Sequence, residues 1–496
     1  MREREIKLVV DDPGFTLPDL DGLGGMLTAP VVTTELVADY YDTSDLRLTR
    51  AGASLRFRPP EGWTVKLPAD DDGNLLTRAE LQLGGEAGDP PADALDLVRA
   101  WTRDQPVAVV ARLRTRRTRI DVHDDAGRKL AEVVDDRVRA YNGCSPATSF
   151  REIEVELAPD APARVAKRIV RELRRAGAGS AEPVPKIARA LGTAAARRSD
   201  VAVPRPPGRR ATADKVIRAA LGASVARLVR HDARVRVGDD PEDVHQARVA
   251  TRRMRSDLKT FAPLMERAST DRARADLAWL GALLGPVRDV DVLRALLEAR
   301  SAALPEEDRP VARQLLEALA DRRASAYGEL LSGMRSTRYV RLLDRLVDTA
   351  SARSITRGTS KLRGSDVLPA LVKHPWKRLR RAVRDAGSTP SDAELHDIRI
   401  RAKRARYATE AVTPVVGGRA RQLARRLRDL QDVLGAHHDS VVARQWLHEA
   451  AATASNEEAF VAGELAMLLH QDSHDLRARW TTVWRAARDP DLRRWF

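Results

Sequence analysis

The stretch Phe150-Arg151-Glu152-Ile153-Glu154-Val155-Glu156-Leu157 alternates carboxylates with apolar side chains at a period of two. In a strand, residues i, i+2 and i+4 share a face, so Glu152, Glu154 and Glu156 form one acidic face backed by Ile153, Val155 and Leu157. Taken singly, such a strand reads as the solvated side of an ordinary antiparallel sheet. The preceding residues repeat the pattern with changing charge. Glu3, Glu5 and Lys7 alternate with Arg4 and Ile6, Arg56 and Arg58 flank Phe57, and Lys66 follows Trp63-Thr64-Val65. Arg78 and Glu80 flank Ala79, and Arg112, Arg114 and Arg116 alternate. Carboxylates dominate the first and last strands and cations the strands between, a segregation that solubility does not require. A sheet closed on itself with these faces inward makes a polar tunnel whose wall has two chemistries. Carboxylate oxygens suit Mg²⁺ or Mn²⁺, and Lys and Arg suit phosphate oxygens. The expected ligand is a metal-bound chain of phosphates, with fixed cations stabilising charge on a transferred phosphoryl group and the metal polarising it and activating water.

Length and composition frame this reading. The 496 residues are enough for about three compact units, and 43% hydrophobic with 32% charged residues is a globular balance. No apolar run approaches the ~18 residues of a membrane span. The single cysteine, Cys144, excludes an intrachain disulfide, and the charged opening Met1 to Val10 lacks the sections of a secretory signal, so a cytoplasmic location is expected. Net charge is +15, yet residues from Arg209 onward carry +16. A polycationic rear half calls for a polyanionic partner: nucleic acid, acidic membrane or polyphosphate.

Alternation ends near Glu156. A helical stretch from about Ala161 to Ala176 and a short segment around Pro185-Lys186-Ile187 follow. A linker rich in Ala, Arg and Pro is expected over 193–209. The expected domains are 2–192 and 210–496, the second with halves of about 210–350 and 360–496. Beyond the linker the chain reads as amphipathic helix, punctuated at Gly238, Pro263, Gly285-Pro286, Pro305, Gly358, Pro390 and Gly417-Gly418. It contains a repeat. His245, Arg248, Arg252, Arg253 and Arg255 recur as His396, Arg399, Lys403, Arg404 and Arg406 at an offset of 151, and Leu284-Gly285-x-x-x-Asp289 recurs as Leu434-Gly435-x-x-x-Asp439 at 150. At ~100° per residue, His245, Arg248, Arg252, Arg255 and Lys259 fall within an arc of ~80°, and the second copy repeats it. One such face is ordinary solvated helix; two, each begun by a histidine, predict an anion-binding groove between the halves. His245 and His396 lack a second ligand at i+3 or i+4, which favours hydrogen bonding to phosphate or a nearby carboxylate over metal binding. The basic faces carry no interleaved aromatics for base stacking, which disfavours nucleic acid.

The ordered set Glu3-x-Glu5-x-Lys7, Tyr40-Tyr41-Asp42-Thr43, Leu55-Arg56-x-Arg58, Trp63-x-x-Lys66, Arg78-x-Glu80, Arg112 to Arg117, Phe150 to Leu157 and Lys186 resembles the CYTH family, the triphosphate tunnel metalloenzymes. The resemblance implies an eight-stranded antiparallel β tunnel that hydrolyses inorganic triphosphate, thiamine triphosphate or nucleoside triphosphates, or cyclises ATP. It implies that Lys7, Arg56, Arg58, Lys66, Lys186 and, from a run that admits several registers, Arg112 and Arg114 grip the triphosphate. Metal ligands by the same resemblance are Glu3, Glu5, Glu152 and Glu154, with Glu80 and Asp135 or Asp136, for which Asp136 is taken. Glu5 and Lys7 are the catalytic pair, and Glu156 either joins the metal cluster or only continues the strand face. From Arg210 onward, Val244 to Arg253, Leu284 to Asp289, His396 to Arg404 and Leu430 to Gly435 resemble the CHAD family, the conserved-histidine α-helical domain. That resemblance implies two pseudo-symmetric helical bundles binding inorganic polyphosphate through His245, Arg248, Arg252, Arg253, Arg255, Lys259, His396, Arg399, Lys403, Arg404 and Arg406. The fold class expected is therefore multidomain α+β. The function expected is hydrolysis of a triphosphate, most simply inorganic triphosphate, using Mg²⁺ or Mn²⁺ and coupled to polyphosphate binding. Adenylate cyclase and a non-catalytic, granule-associated polyphosphate binder are the alternatives.

Overall fold

Period-two patterning in the first 157 residues becomes ten strands: β1 (Arg2–Val10), β2 (Leu27–Thr28), β3 (Val32–Thr43), β4 (Ser54–Arg58), β5 (Gly62–Lys66), β6 (Asp70–Asp72), β7 (Leu75–Leu83), β8 (Val107–His123), β9 (Lys129–Asn142) and β10 (Ser145–Leu157). The computed structural model describes the backbone of residues 2–68, 70–72, 75–142, 145–180 and 184–496. It describes their side chains except at 2–3, 70–72, 75–78, 142 and 352. Cys144 and the side chains of Glu3 and Arg78 lie outside the described residues. Two units make up the chain, Met1–Ala202 and Val203–Phe496.

Eight of the strands close into a ring. The order β1-β10-β9-β8-β3-β4-β5-β7 returns to β1 through a β1–β7 pairing, and every pairing is antiparallel. β2 and β6 attach to β8 and β7. Register sets which side chains point inward. Lys7 pairs with Glu154, Glu5 with Glu156, Arg56 with Tyr40 and with Thr64, and Lys66 with Glu80, so these residues occupy the interior face. The opposite parity carries Leu8, Ile153 and Val155. These are fully buried against α3 (Ala163–Arg175), whose Ile169 and Leu173 complete that core. Part of the interior is apolar: Ala38, Leu113, Val138 and Ala140 pack with Ile187. The short helices α1 (Arg47–Ala51) and α2 (Ala92–Thr102) precede α3, and α4 (Lys186–Leu191), which carries Ile187, follows it.

Asp42 explains why Tyr40-Tyr41-Asp42-Thr43 ends a strand. Its buried carboxylate accepts hydrogen bonds from the backbone N–H groups of Thr43, Leu48 and Thr49 at 2.7, 2.9 and 2.9 Å and from the Thr49 hydroxyl at 2.8 Å. It thereby satisfies the start of α1. Asp42→Ala orphans these buried donors and is expected to lower stability by ~3 kcal/mol or more in urea denaturation, with Asp42→Asn losing less.

The second unit is helical: α5 (Ala213–Val237), α6 (Pro241–Phe261), α7 (Arg267–Ser301), α8 (Arg309–Arg335), α9 (Thr337–Thr349), α10 (Gly364–Val367), α11 (Ala370–Asp385), α12 (Asp392–Val416), α13 (Gly418–Ala451) and α14 (Asn456–Ala487). Capping boxes at Ser391/Glu394 and Ser455/Glu458 start α12 and α14. Among the described residues, Leu297, Leu319 and Leu465 lie in one apolar cluster that holds helices together, and Ile398, Leu427 and Leu430 in another. Gly285-Pro286 is not the break expected from composition. α7 runs through it, with Pro286 inside the helix. The Gly285 carbonyl receives Arg248 Nη1 at 3.0 Å, and packing of Leu280, Leu284 and Val287 outweighs the missing N–H.

Candidate active site and basic groove

A cavity of ≈ 230 Å³ opens inside the barrel, lined by Lys7, Arg56, Arg58, Lys66, Arg117 and Lys186 together with Glu80, Glu154, Glu156 and Tyr40. Elements distant in sequence supply its charge balance. β10 brings Glu152, Glu154 and Glu156, which join Asp136 of β9 and Glu5 of β1, and α4, the last α-helix of the unit, brings Lys186. The Lys186 amine lies 2.8 Å from Asp136, 3.1 Å from Glu152 and 2.7 Å from Glu154. Lys7 pairs with Glu154 and stands 3.4 Å from Glu5. Arg117 grips Asp136 through Nε and Nη2 at 2.9 and 2.7 Å and reaches Glu154 at 3.4 Å. On the facing wall Glu80 lies 2.6 Å from Lys66 and 3.5 Å from Arg56, while Arg58 pairs with Glu61.

Burial and pairing oppose each other at these groups, and pairing wins. Burial pushes the Glu154 carboxyl up, but Lys186, Lys7 and Arg117 hold it well below its ordinary value. Burial pushes the Lys186 amine down, yet Glu154, Asp136 and Glu152 raise it well above its own, and Lys7 rises for the same reason through Glu154 and Glu5. All three therefore stay ionised at neutral pH.

The carboxylates divide into two groups. Oxygens of Glu5, Glu154 and Glu156 lie within 4.8 Å of one another, a set of hard donors that fits a divalent cation. Asp136 and Glu152 are fully buried behind them and face Lys186, with Arg117 on Asp136 and Arg189 3.8 Å from Glu152. Glu80 belongs to the opposite wall.

The arginine run corrects the expectation. Tyr40 faces Ala111 across the β3–β8 ladder and Thr34 faces Arg117, which puts odd-numbered residues from Ala111 to Arg117 inside. Arg112 and Arg114 therefore lie on the outer wall. Arg112 makes a two-point ion pair with Asp39 at 2.6 and 2.8 Å, and the Arg114 guanidinium lies 5.3 Å over the Tyr141 ring. Arg117 takes the inward place, because a shift of one residue exchanges the faces of a strand. The apolar Ala111 and Leu113 alternating with Arg112 and Arg114 were the available signal.

In the helical unit, α6 and α12 bring their repeats together. Lys403 is flanked by Arg252 and Arg248 of α6 and by Arg399 and Arg406 of α12. Burial and then these cations push its amine down to about 7. The Nε groups of Arg252 and Arg399 are buried without a hydrogen-bond partner among the described residues. Arg248 pairs with Asp289 at 2.8 Å, and Gly285 and Gly435 lie beneath Arg248 and Arg399 in the two copies. This explains why the two sequence landmarks recur in register. His245 and His396 are both lowered, first by burial and then by Arg288 for His245 and by Arg399 for His396. His396 meets His438, ring nitrogen to ring nitrogen at 3.1 Å, rather than a carboxylate. Arg253 departs from the groove to pair with Asp257 and Glu410, since its position lies ~80° or more off the common face. Lys259 and Arg404 also stand apart. With Arg378 and Arg401 they line a separate cavity of ≈ 320 Å³. Arg255 is among the cations around Arg404, and Arg406 also approaches Glu410 at 3.7 Å. No described helix is long and apolar enough to cross a membrane.

Comparison with known proteins sets these sites in context. The family model for the CYTH domain matches residues 1–188, and that for the CHAD domain matches residues 219–448. An uncharacterized protein of Mycobacterium tuberculosis is 33% identical over 491 residues, covering 93% of this chain and 91% of that protein. Among solved structures, the CHAD domain from the plant Ricinus communis is 27% identical with a TM-score of 0.46, over 57% of this chain and 94% of that one. PptA from Streptomyces chartreusis is 22% identical with a TM-score of 0.46, over 55% of this chain and all of the other.

Proposed function

Because this chain belongs to the proteins that join a CYTH domain to a CHAD domain, we propose that its barrel is a divalent-metal-dependent triphosphatase acting on inorganic triphosphate and that its helical unit binds inorganic polyphosphate. The observation that carries the first half is the convergence of six cations with Glu154 and Glu156 on one cavity inside the barrel, and the grouping of these two carboxylates with Glu5.

Glu5, Glu154 and Glu156 would hold Mg²⁺ or Mn²⁺, which when bound supplies Lewis-acid polarisation of a phosphoryl oxygen. Arg56, Arg58 and Lys66 on one wall and Lys7, Arg117 and Lys186 on the other grip the non-bridging oxygens. Phosphate oxygens then take over from Glu80, Glu154 and Asp136 as partners of these cations. The cations are held in place before reaction, so charge developing in the transition state meets oriented donors without reorganisation. Purified protein with Mg²⁺ or Mn²⁺ should release orthophosphate from tripolyphosphate, and Lys7→Ala should lower that rate by at least ~100-fold. Undiminished release in the variant sinks the assignment. Formation of cyclic AMP from ATP, with tripolyphosphate inert, replaces it with a cyclase.

For the helical unit, the support is the pair of buried, unpartnered arginine Nε groups beside Lys403. An anion bound there favours the charged amine. Since Lys403 titrates near 7 without ligand, polyphosphate binding should take up a proton at pH 8, and affinity should rise as pH falls from 8 to 6. Calorimetry in buffers of differing ionisation enthalpy reads the uptake. Lys403→Arg, which stays charged, should flatten the profile, and an unchanged profile in that variant removes Lys403 from the site.

A further inference from the structure

The outer wall of the barrel carries a feature that the tunnel does not use. β8 and β9 place Arg114 directly opposite Arg139 and Arg116 directly opposite Arg137. All four side chains are exposed, and β10 extends the second row with Arg151 opposite Arg137. Arg151 is tied to Asp135 at 2.6 and 2.8 Å, but Arg114, Arg116, Arg137 and Arg139 have no ion-pair partner among the described residues. Glu35, opposite Arg116 on β3, is the nearest carboxylate by register, and Asp11 and Asp12 lie on the rim of the same concavity.

Like charges directly opposite on neighbouring strands destabilise a sheet. Here two such pairs are adjacent, so the wall retains a repulsion that any of four neutral side chains would relieve. Arginine in rows, at a strand spacing of ~4.8 Å and an i to i+2 spacing of ~6.8 Å, presents a flat grid of forked donors that matches a flexible chain of anions. Base recognition is poorly served. The Arg114 guanidinium takes one face of the Tyr141 ring and that of Arg189 one face of the Phe150 ring, each at 5.3 Å, which competes with stacking of a base there.

We infer that this outer wall, centred on Arg114, Arg116, Arg137 and Arg139, is a second binding surface for a base-free condensed phosphate chain, separate from both the tunnel and the helical groove. It does not depend on the tunnel being a triphosphatase.

The test uses the full chain carrying Arg252→Gln and Lys403→Gln, so that the helical groove is weakened, titrated with fluorescein-labelled polyphosphate across a salt series. Adding Arg114→Gln, Arg116→Gln, Arg137→Gln and Arg139→Gln should weaken binding by ~10-fold or more and reduce the salt slope by about one counterion per arginine. The same four changes should leave tripolyphosphate hydrolysis unaltered and should not lower the melting temperature, because they remove repulsion. Equal affinity with and without the four changes overturns the proposal. So does tighter binding of single-stranded RNA than of polyphosphate to the same wall, which makes it a nucleic-acid surface. Absence of tripolyphosphate hydrolysis already in the chain without the four changes speaks against the tunnel reading alone, whereas its loss only on adding them overturns the separateness of this wall.

Discussion

Glu154→Gln is expected to reduce metal-dependent phosphate release from tripolyphosphate by ~100- to 1,000-fold while leaving the barrel folded. Glu154 is the hub of the cavity, in contact with Lys7, Lys186 and Arg117 and a member of the triple with Glu5 and Glu156. Glutamine keeps its shape and one acceptor oxygen but removes the charge. Two consequences should separate in the kinetics. A metal held less tightly raises the Mn²⁺ concentration required, and the residual rate at saturating Mn²⁺ reports the altered field around the phosphoryl group. Retention of more than a tenth of the wild-type rate at saturating Mn²⁺, in a variant with normal circular dichroism, would remove Glu154 from the reacting centre.

Lys186→Met should have the largest effect on stability, and its size should depend on pH. The substitution leaves Asp136, Glu152 and Glu154 buried with one fewer cation, and breaking such a buried set costs about 3–5 kcal/mol at neutral pH. In the wild type, the Glu154 carboxyl sits well below its ordinary value of 4.5, so its contribution is present above that value and fades as acid takes pH down through the folded value. Without Lys186, the Glu154 and Asp136 carboxyls lose the first cation that opposes burial and are expected to shift upward past their ordinary values. The folded form then binds more protons than the unfolded one, and stability falls as pH rises. Urea denaturation should find the variant's deficit larger at pH 8 than at pH 5. An equal deficit at both means that Lys186 acts through packing alone. Lys186→Arg, which restores the charge, should recover part of the loss.

Much of the barrel could be read directly. Glu5, Lys7, Arg56, Lys66, Glu80 and Glu154 alternate on short strands, and alternation with one dry face is what a closed sheet requires. The ring itself, and the fall of these residues on its inner side, follow from that pattern. The arginine run could not be resolved the same way. Arg116 and Arg117 are both arginine, so the run itself leaves the parity open; the apolar Ala111 and Leu113 are the one hint in the sequence, and the pairing of Tyr40 with Ala111 fixes which arginine enters the cavity. Glu156 was ambiguous for a related reason: its membership in the acidic triple depends on Glu5 across the ladder, a contact made at the far end of the domain. On the helices, angular position sets Arg253 off the face of Arg252, against the place in the groove that the resemblance implied for it, and Arg253 does leave to pair with Asp257 and Glu410. It did not separate Lys259 from Arg255 or Arg252, because neighbouring helices decide which stretch of one face is shared. Pro286 misled as punctuation, since tertiary packing overrides local propensity inside a long helix.

The position of Lys186 at the start of α4 bears on how the amino-terminal unit is made. Translation delivers β1, β8, β9 and β10, and with them Lys7, Arg117, Asp136, Glu152 and Glu154, before α4 leaves the ribosome. Until then the nascent barrel holds an excess of buried negative charge and has every reason to stay open. The final helix is therefore a latch that completes assembly late, and any polypeptide ended upstream of it should emerge as a loose, protease-sensitive precursor rather than a smaller version of the finished unit.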